Sequence, residues 1–198
     1  MKRKNYCLGL ITFFVFLGIQ NVYCEIPTSV EKTPIYKGAT LIEEESSPKE
    51  YGLNYGILRI YEVEAPIEEV VKFYENLLQI QKRNTDYGDP YSLAIGGMVK
   101  PIMQIDFHDD SQYIDADYGR DGVSARGWIK KALQKRTKDK EGFWIANAMS
   151  IWFYRDSENS LVELEIMIDD KSINEDLQEY HLKTEIRIRV VCYEYSFS

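Results

Sequence analysis

The sequence has 198 residues, of which 44% are hydrophobic and 28% are charged, as in ordinary globular proteins. This composition excludes a disordered chain, a collagen-like repeat and a disulfide-dense scaffold. The formal net charge of −8 disfavours a nucleic-acid partner, because domains that bind nucleic acid are usually basic. The length predicts a single domain, which we place at residues 35–198.

The first 24 residues have the pattern of a secretory signal peptide. Basic residues at positions 2–4 precede an apolar run from Cys7 to Ile19. A helix of this run would be about 20 Å long, too short for a hydrocarbon core of about 30 Å. We therefore predict a signal peptide at residues 1–24 and no transmembrane helix in the mature chain.

The processing of this segment has two alternatives. Val22 and Cys24 are small residues that suit a cut before Glu25. Alternatively, Cys24 would carry the lipid of a bacterial lipoprotein, although Tyr23 fits the lipoprotein pattern poorly. Both alternatives predict an exported protein that is periplasmic, secreted or at the outer surface, and simple cleavage is favoured.

The N-terminal part of the mature chain predicts a tether, two strands and one helix. Residues 25–34 contain two prolines and no periodicity, which predicts a tether. Strands are predicted at 39–42 and 56–63, followed by the clearest amphipathic helix at about 66–82. The apolar side chains of this helix recur at helical spacing, at Ile67, Val70, Val71, Tyr74, Leu77 and Leu78.

The C-terminal third predicts an antiparallel sheet. Apolar and charged residues alternate in 161–168 and again in 182–195, as in strands with one face towards water. Cys192, the lone cysteine after residue 24, lies in the second of these strands and is predicted to be buried. The fold class is therefore α+β, with one mostly antiparallel sheet covered by the main helix and a short second helix at about 126–136.

Two segments resemble a loose group of secreted or lipid-anchored bacterial domains of unknown function. Residues 34–39 have the pattern P-x-Y-x-G-A, and residues 66–74 have the pattern P-x-E-E-V-V-x-F-Y. The resemblance covers residues 34–78 and implies the fold and export. It implies no catalytic residue.

The densest group of candidate metal ligands is Asp106, His108 and Asp110. Alternate residues of a strand point to one side, so these imidazole and carboxylate groups would converge on a divalent ion. The alternative is a solvated strand end, because the sequence identifies no distant fourth ligand.

Three further carboxylates, Asp115, Asp117 and Asp121, partly match a calcium-binding loop. Gly119 and Arg126 stand where such a loop needs an oxygen ligand and a bidentate glutamate. An ordinary acidic loop is the alternative. Residues 106–121 are nevertheless the basis of one functional hypothesis, a secreted hydrolase that uses acidic or metal-binding residues. The sequence contains no established catalytic motif, and we predict no cofactor.

Residues 126–140 contain seven lysines and arginines against one aspartate. A basic helix with an apolar side would bind an anionic membrane surface or an acidic envelope protein. The alternative is a solvated helix. We favour a non-enzymatic binding domain of the cell envelope over the hydrolase, with a predicted binding surface of Arg126, Trp128, Lys130, Lys131, Lys135 and Arg136.

Overall fold

A computed structural model provides the structure of most of the predicted domain. It describes residues 26–47, 53–80, 83–84, 101–108, 132–139, 142–156, 158, 160–174 and 179–193. The predicted signal peptide and the candidate lipidation residue Cys24 lie outside these residues, as do residues 126–131 of the predicted second helix. Within the described residues, no helix is long and apolar enough to cross a membrane.

The described strands form one large sheet and one small ribbon. Six antiparallel strands follow the order β1-β2-β9-β6-β5-β4, and the two-residue β3 lies parallel to β4 at one edge. The short strands β7 and β8 pair with each other. The strands are β1 Thr40–Ser47, β2 Leu53–Val63, β3 Arg83–Asn84, β4 Ile102–Phe107, β5 Ile145–Arg155, β6 Leu161–Asp170, β7 Ile173–Asn174, β8 Glu179–Tyr180 and β9 Thr184–Tyr193.

Helix α1, Ile67–Leu77, packs against β5 and β6. Pro66 precedes its first turn, as predicted, because a proline there loses no helical hydrogen bond. The helix ends about five residues before the predicted boundary of 82. Gln79 has a left-handed φ of 55°, and the N–H of Ile80 bonds to the carbonyl of Glu75, which closes the last turn.

The core lies between α1 and one face of the sheet. The apolar residues of β6 and β9 face the core as predicted, and Ile166 and Ile188, which lie opposite each other on the two strands, are fully buried. Glu163 and Glu165, which the alternation predicted to face water, are also buried. Cys192 is also buried, as predicted. Together with the helix, this arrangement confirms the α+β fold class. The other fully buried apolar side chains of the two strands are Val162, Leu164, Ile168 and Ile186.

Residues 26–34 pack against the domain, although we expected a tether. Val30 is buried in the core, and the indole N–H of Trp152 donates a hydrogen bond of 2.8 Å to the carbonyl of Pro27. A buried indole needs an acceptor, so this contact holds the segment in place. The two segments of the resemblance also meet, since the Tyr36 ring lies 5.5 Å from that of Phe73.

Candidate functional site

Arg136 is buried, whereas the sequence places it on an exposed binding surface. Only 1% of its side chain is exposed. Its guanidinium donates hydrogen bonds to Asp170 at the end of β6, to Glu68 in the first turn of α1 at 2.7 Å, and to the carbonyl of Ile145 at 2.9 Å. Arg136 is therefore a link between α1, β5 and β6, which corrects its assignment to the binding surface.

His108 also contacts this buried network. Its Nε2 lies 3.1 Å from Asp170 Oδ2, and the backbone N–H of Ser172 donates to Asp170 Oδ1. Burial favours the neutral acid, but the contacts with His108, Arg136 and Ser172 together hold the pKa of Asp170 below its ordinary value. Asp170 is thus a buried carboxylate whose negative charge is stabilised by its neighbours.

The candidate metal ligands are not brought together. Asp106 pairs with Asn147, on the sheet face away from α1, whereas His108 contacts Asp170 on the helix side. Strand β4 ends at Phe107, so the strand alternation on which the prediction rested does not extend to His108. Among the described residues, no three His, Cys, Asp or Glu side chains are placed to hold a metal ion. Four candidate acids lie outside the described residues: Asp110, Asp115, Asp117 and Asp121.

A second buried arginine fastens the same basic segment to the other end of α1. Arg83 donates a hydrogen bond of 2.6 Å to Asp139 and contacts Glu75 near the end of the helix. All three side chains are largely buried. No local sequence pattern indicates this contact, because Arg83 and Asp139 are 56 positions apart. Residues 132–139 are therefore held at both ends of α1.

The exposed side of this segment combines lysines with aromatic rings. Lys138 Nζ lies 4.2 Å from the centre of the Trp144 ring, and Lys135 Nζ lies 5.6 Å from that of Tyr180. Phe143 is 53% exposed, whereas Trp144, the next residue, is buried at 8% and packs in a small cluster with Leu133. We call this patch the lysine–aromatic surface, and its residues are Lys135, Lys138, Phe143, Trp144 and Tyr180.

Lys135 of the predicted binding surface is exposed. Its ring neighbour Tyr180 belongs to β8, and Phe143 and Trp144 directly precede β5; all three rings were missed. Phe143 is exposed, Tyr180 is half-buried and Trp144 is buried, and no sequence pattern distinguishes them from core aromatics. The remaining predicted residues, Arg126, Trp128, Lys130 and Lys131, lie outside the described residues.

The sheet face away from α1 carries a pair of glutamates. Arg189 donates hydrogen bonds of 2.7 Å to both Glu163 and Glu165, and the Tyr193 hydroxyl donates to Glu163. Burial, together with the charge of Glu163, raises the pKa of Glu165, and Arg189 opposes this rise. The pair lies outside residues 106–121, and its contacts with Arg189 make it a cross-strand ion pair.

Comparisons with protein-family models, with curated proteins and with solved structures found no match.

Proposed function

We propose that this protein is an exported, non-enzymatic binding domain of the bacterial cell envelope, and that the lysine–aromatic surface attaches it to an anionic membrane. The export part rests on the basic and apolar pattern of residues 1–24. The binding part rests on the exposed lysines and rings around residues 135–144.

One observation carries the binding proposal: Phe143 is more than half exposed, and its backbone bonds to Asp139, the residue after the exposed Lys138. An exposed ring costs free energy in water, and this cost is recovered when the ring enters the interface of a membrane. The Phe143 ring packs on that of Phe107, and Lys138 stacks on Trp144. Cations and aromatic rings together are the usual composition of a membrane-binding patch.

The buried networks beneath the patch support the same proposal. Buried ion pairs fix Arg136 and Asp139, which belong to the same segment, residues 132–139, as the two lysines. The backbone that carries the lysines is therefore already ordered, so binding requires little further loss of backbone entropy.

The proposal is tested by sedimentation with phosphatidylglycerol vesicles and with neutral phosphatidylcholine vesicles. We expect the protein to bind the anionic vesicles at low salt and to be released at high salt. Each lysine near an anionic surface contributes about 1 kcal/mol. The double variant Lys135→Glu/Lys138→Glu should therefore bind at least about tenfold more weakly.

The matched control is Lys72→Glu/Lys171→Glu, which changes the net charge equally at two exposed lysines elsewhere. This control should bind nearly as well as the wild type, and thermal melts should show that both variants are folded. Equal weakening of the two variants, or no binding by the wild type at low salt, would contradict the proposal.

A further inference from the structure

The outer edge of β1 is open. Strand β1 is the first strand in the order of the large sheet and pairs with β2 on one side. No described residue pairs with its other side, and all eight of its residues are exposed. The backbone N–H and C=O groups of such an edge can pair with a further strand.

A groove of about 770 Å³ lies where β1 begins. Its walls include Thr40 and Ile42 of β1 and Leu182 before β9. Ile42 is 50% exposed and Leu182 is 36% exposed, so both present apolar surface to solvent. Glu62 of β2 also lines the groove, so the groove extends towards β2 and away from the open edge. A strand added at that edge would contact Ile42 but would not reach Leu182, which precedes β9.

The charge of β1 indicates which kind of strand could pair with its open edge. Glu43, Glu44 and Glu45 are consecutive, and Glu44 is paired with Arg59 at 2.6 Å. Glu43 and Glu45 point to the same side, since strand residues alternate. Neither has an ion-pair partner among the described residues.

A second copy of this chain is a poor occupant for the edge. Antiparallel pairing of β1 with another β1 would bring glutamates close to glutamates, and like charges on paired strands are destabilising. An extended segment with lysines or arginines would instead meet opposite charges.

We propose that the β1 edge accepts an extended, basic segment of a partner protein as an additional strand, with an apolar side chain of that segment against Ile42. Backbone hydrogen bonds would supply most of the attachment, and the glutamates and Ile42 would supply the selectivity. This surface is separate from the lysine–aromatic surface.

The test uses the full chain and a peptide of eight residues, the length of β1, that alternates lysine and valine. Fluorescence anisotropy of the labelled peptide should show saturable binding. The double variant Glu43→Lys/Glu45→Lys should bind about tenfold more weakly. The variant Ile42→Ser should bind several times more weakly, because it removes the apolar side chain of β1 that the added strand would contact.

Two controls separate strand addition from simple charge attraction. The same peptide with an N-methyl group on every backbone nitrogen keeps its charge but cannot donate ladder hydrogen bonds, so it should bind at least about tenfold more weakly. The variant Glu158→Lys/Glu179→Lys changes two exposed acids elsewhere and should bind within about twofold of the wild type.

Three results would overturn the proposal: no binding of the lysine–valine peptide, equal binding of the N-methylated peptide, or equal weakening by the two glutamate variants. A concentration-dependent dimer in analytical ultracentrifugation that Glu43→Lys/Glu45→Lys abolishes would make a second copy the occupant instead. Ile42, Glu43 and Glu45 lie outside the lysine–aromatic surface, so the vesicle experiment can succeed or fail independently.

Discussion

The two faces of the sheet each carry an arginine that binds two carboxylates, but the two arginines differ in burial and in origin. On the helix face, Arg136 is 1% exposed and comes from a segment outside the sheet. On the other face, Arg189 is 40% exposed and comes from β9, the strand beside its partners. Arg136 therefore joins separate elements, whereas Arg189 reinforces a strand pairing that the backbone ladder already defines.

The largest expected effect is at Arg136. The substitution Arg136→Ala leaves Glu68 and Asp170 as buried carboxylates without their cation, so the free energy of unfolding should fall by about 3–5 kcal/mol. Urea denaturation measures this loss.

The companion variant Arg136→Met/Glu68→Gln/Asp170→Asn separates charge from packing. It removes the buried charges together, and we expect it to regain much of the lost stability, because an uncompensated buried charge costs more than a neutral replacement. A loss below about 1 kcal/mol for Arg136→Ala would show that the buried network contributes little.

A smaller effect is expected at Arg189. The substitution Arg189→Ala should lower the free energy of unfolding by about 1–2 kcal/mol, since hydrogen bonds to charged groups are lost but solvent reaches the vacated space. Arg187 on the same strand is the matched comparison, because its partners Glu185 and Asp169 are more exposed than Glu163 and Glu165.

We expect Arg187→Ala to cost less than about 1 kcal/mol, as is usual for a solvent-accessible ion pair. If Arg187→Ala and Arg189→Ala cost the same, the burial of the glutamates does not determine the energy of these pairs.

The smallest expected effect is a difference in pH dependence between the two faces. The pKa of Asp170 is below its ordinary value of 3.8, so its stabilising contribution is present above that value and is lost as the pH falls through the folded-state pKa. The pKa of Glu165 is raised above its ordinary value of 4.5. Its contribution is present below that value and is lost as the pH rises through the folded-state pKa.

Urea denaturation across the acidic range measures the two contributions separately. Asp170→Asn should flatten the decrease of stability at the acid end of the pH range. Glu165→Gln should flatten the decrease of stability that occurs as the pH rises above 4.5. If Asp170→Asn instead changed the stability at the higher pH and Glu165→Gln changed it at the acid end, the directions of the two pKa shifts would be wrong.

The main helix and the alternating strands were predictable because their signals are local. Val70, Val71 and Tyr74 are all fully buried, as their helical spacing predicts. The alternation along β6 and β9 likewise predicts which side chains face the core. Both patterns are set within a few residues, so the sequence displays them directly.

The role of Arg136 was not predictable, because its partners are distant. Glu68 is 68 positions away and Asp170 is 34 positions away. A basic run has the same appearance in sequence whether each cation faces water or a buried acid. For the same reason, Lys135 was correctly placed on the surface while its ring partner Tyr180 was missed.

The position of β9 has a consequence for the order in which the chain folds. β9 lies between β2 and β6, although it is the last of these strands to be synthesised. The β1–β2 hairpin and the β4–β5–β6 block therefore remain unjoined in the sheet until residues 184–193 have left the ribosome. Because the pairing of β2 with β9 joins residues more than a hundred positions apart, we expect the sheet to fold slowly.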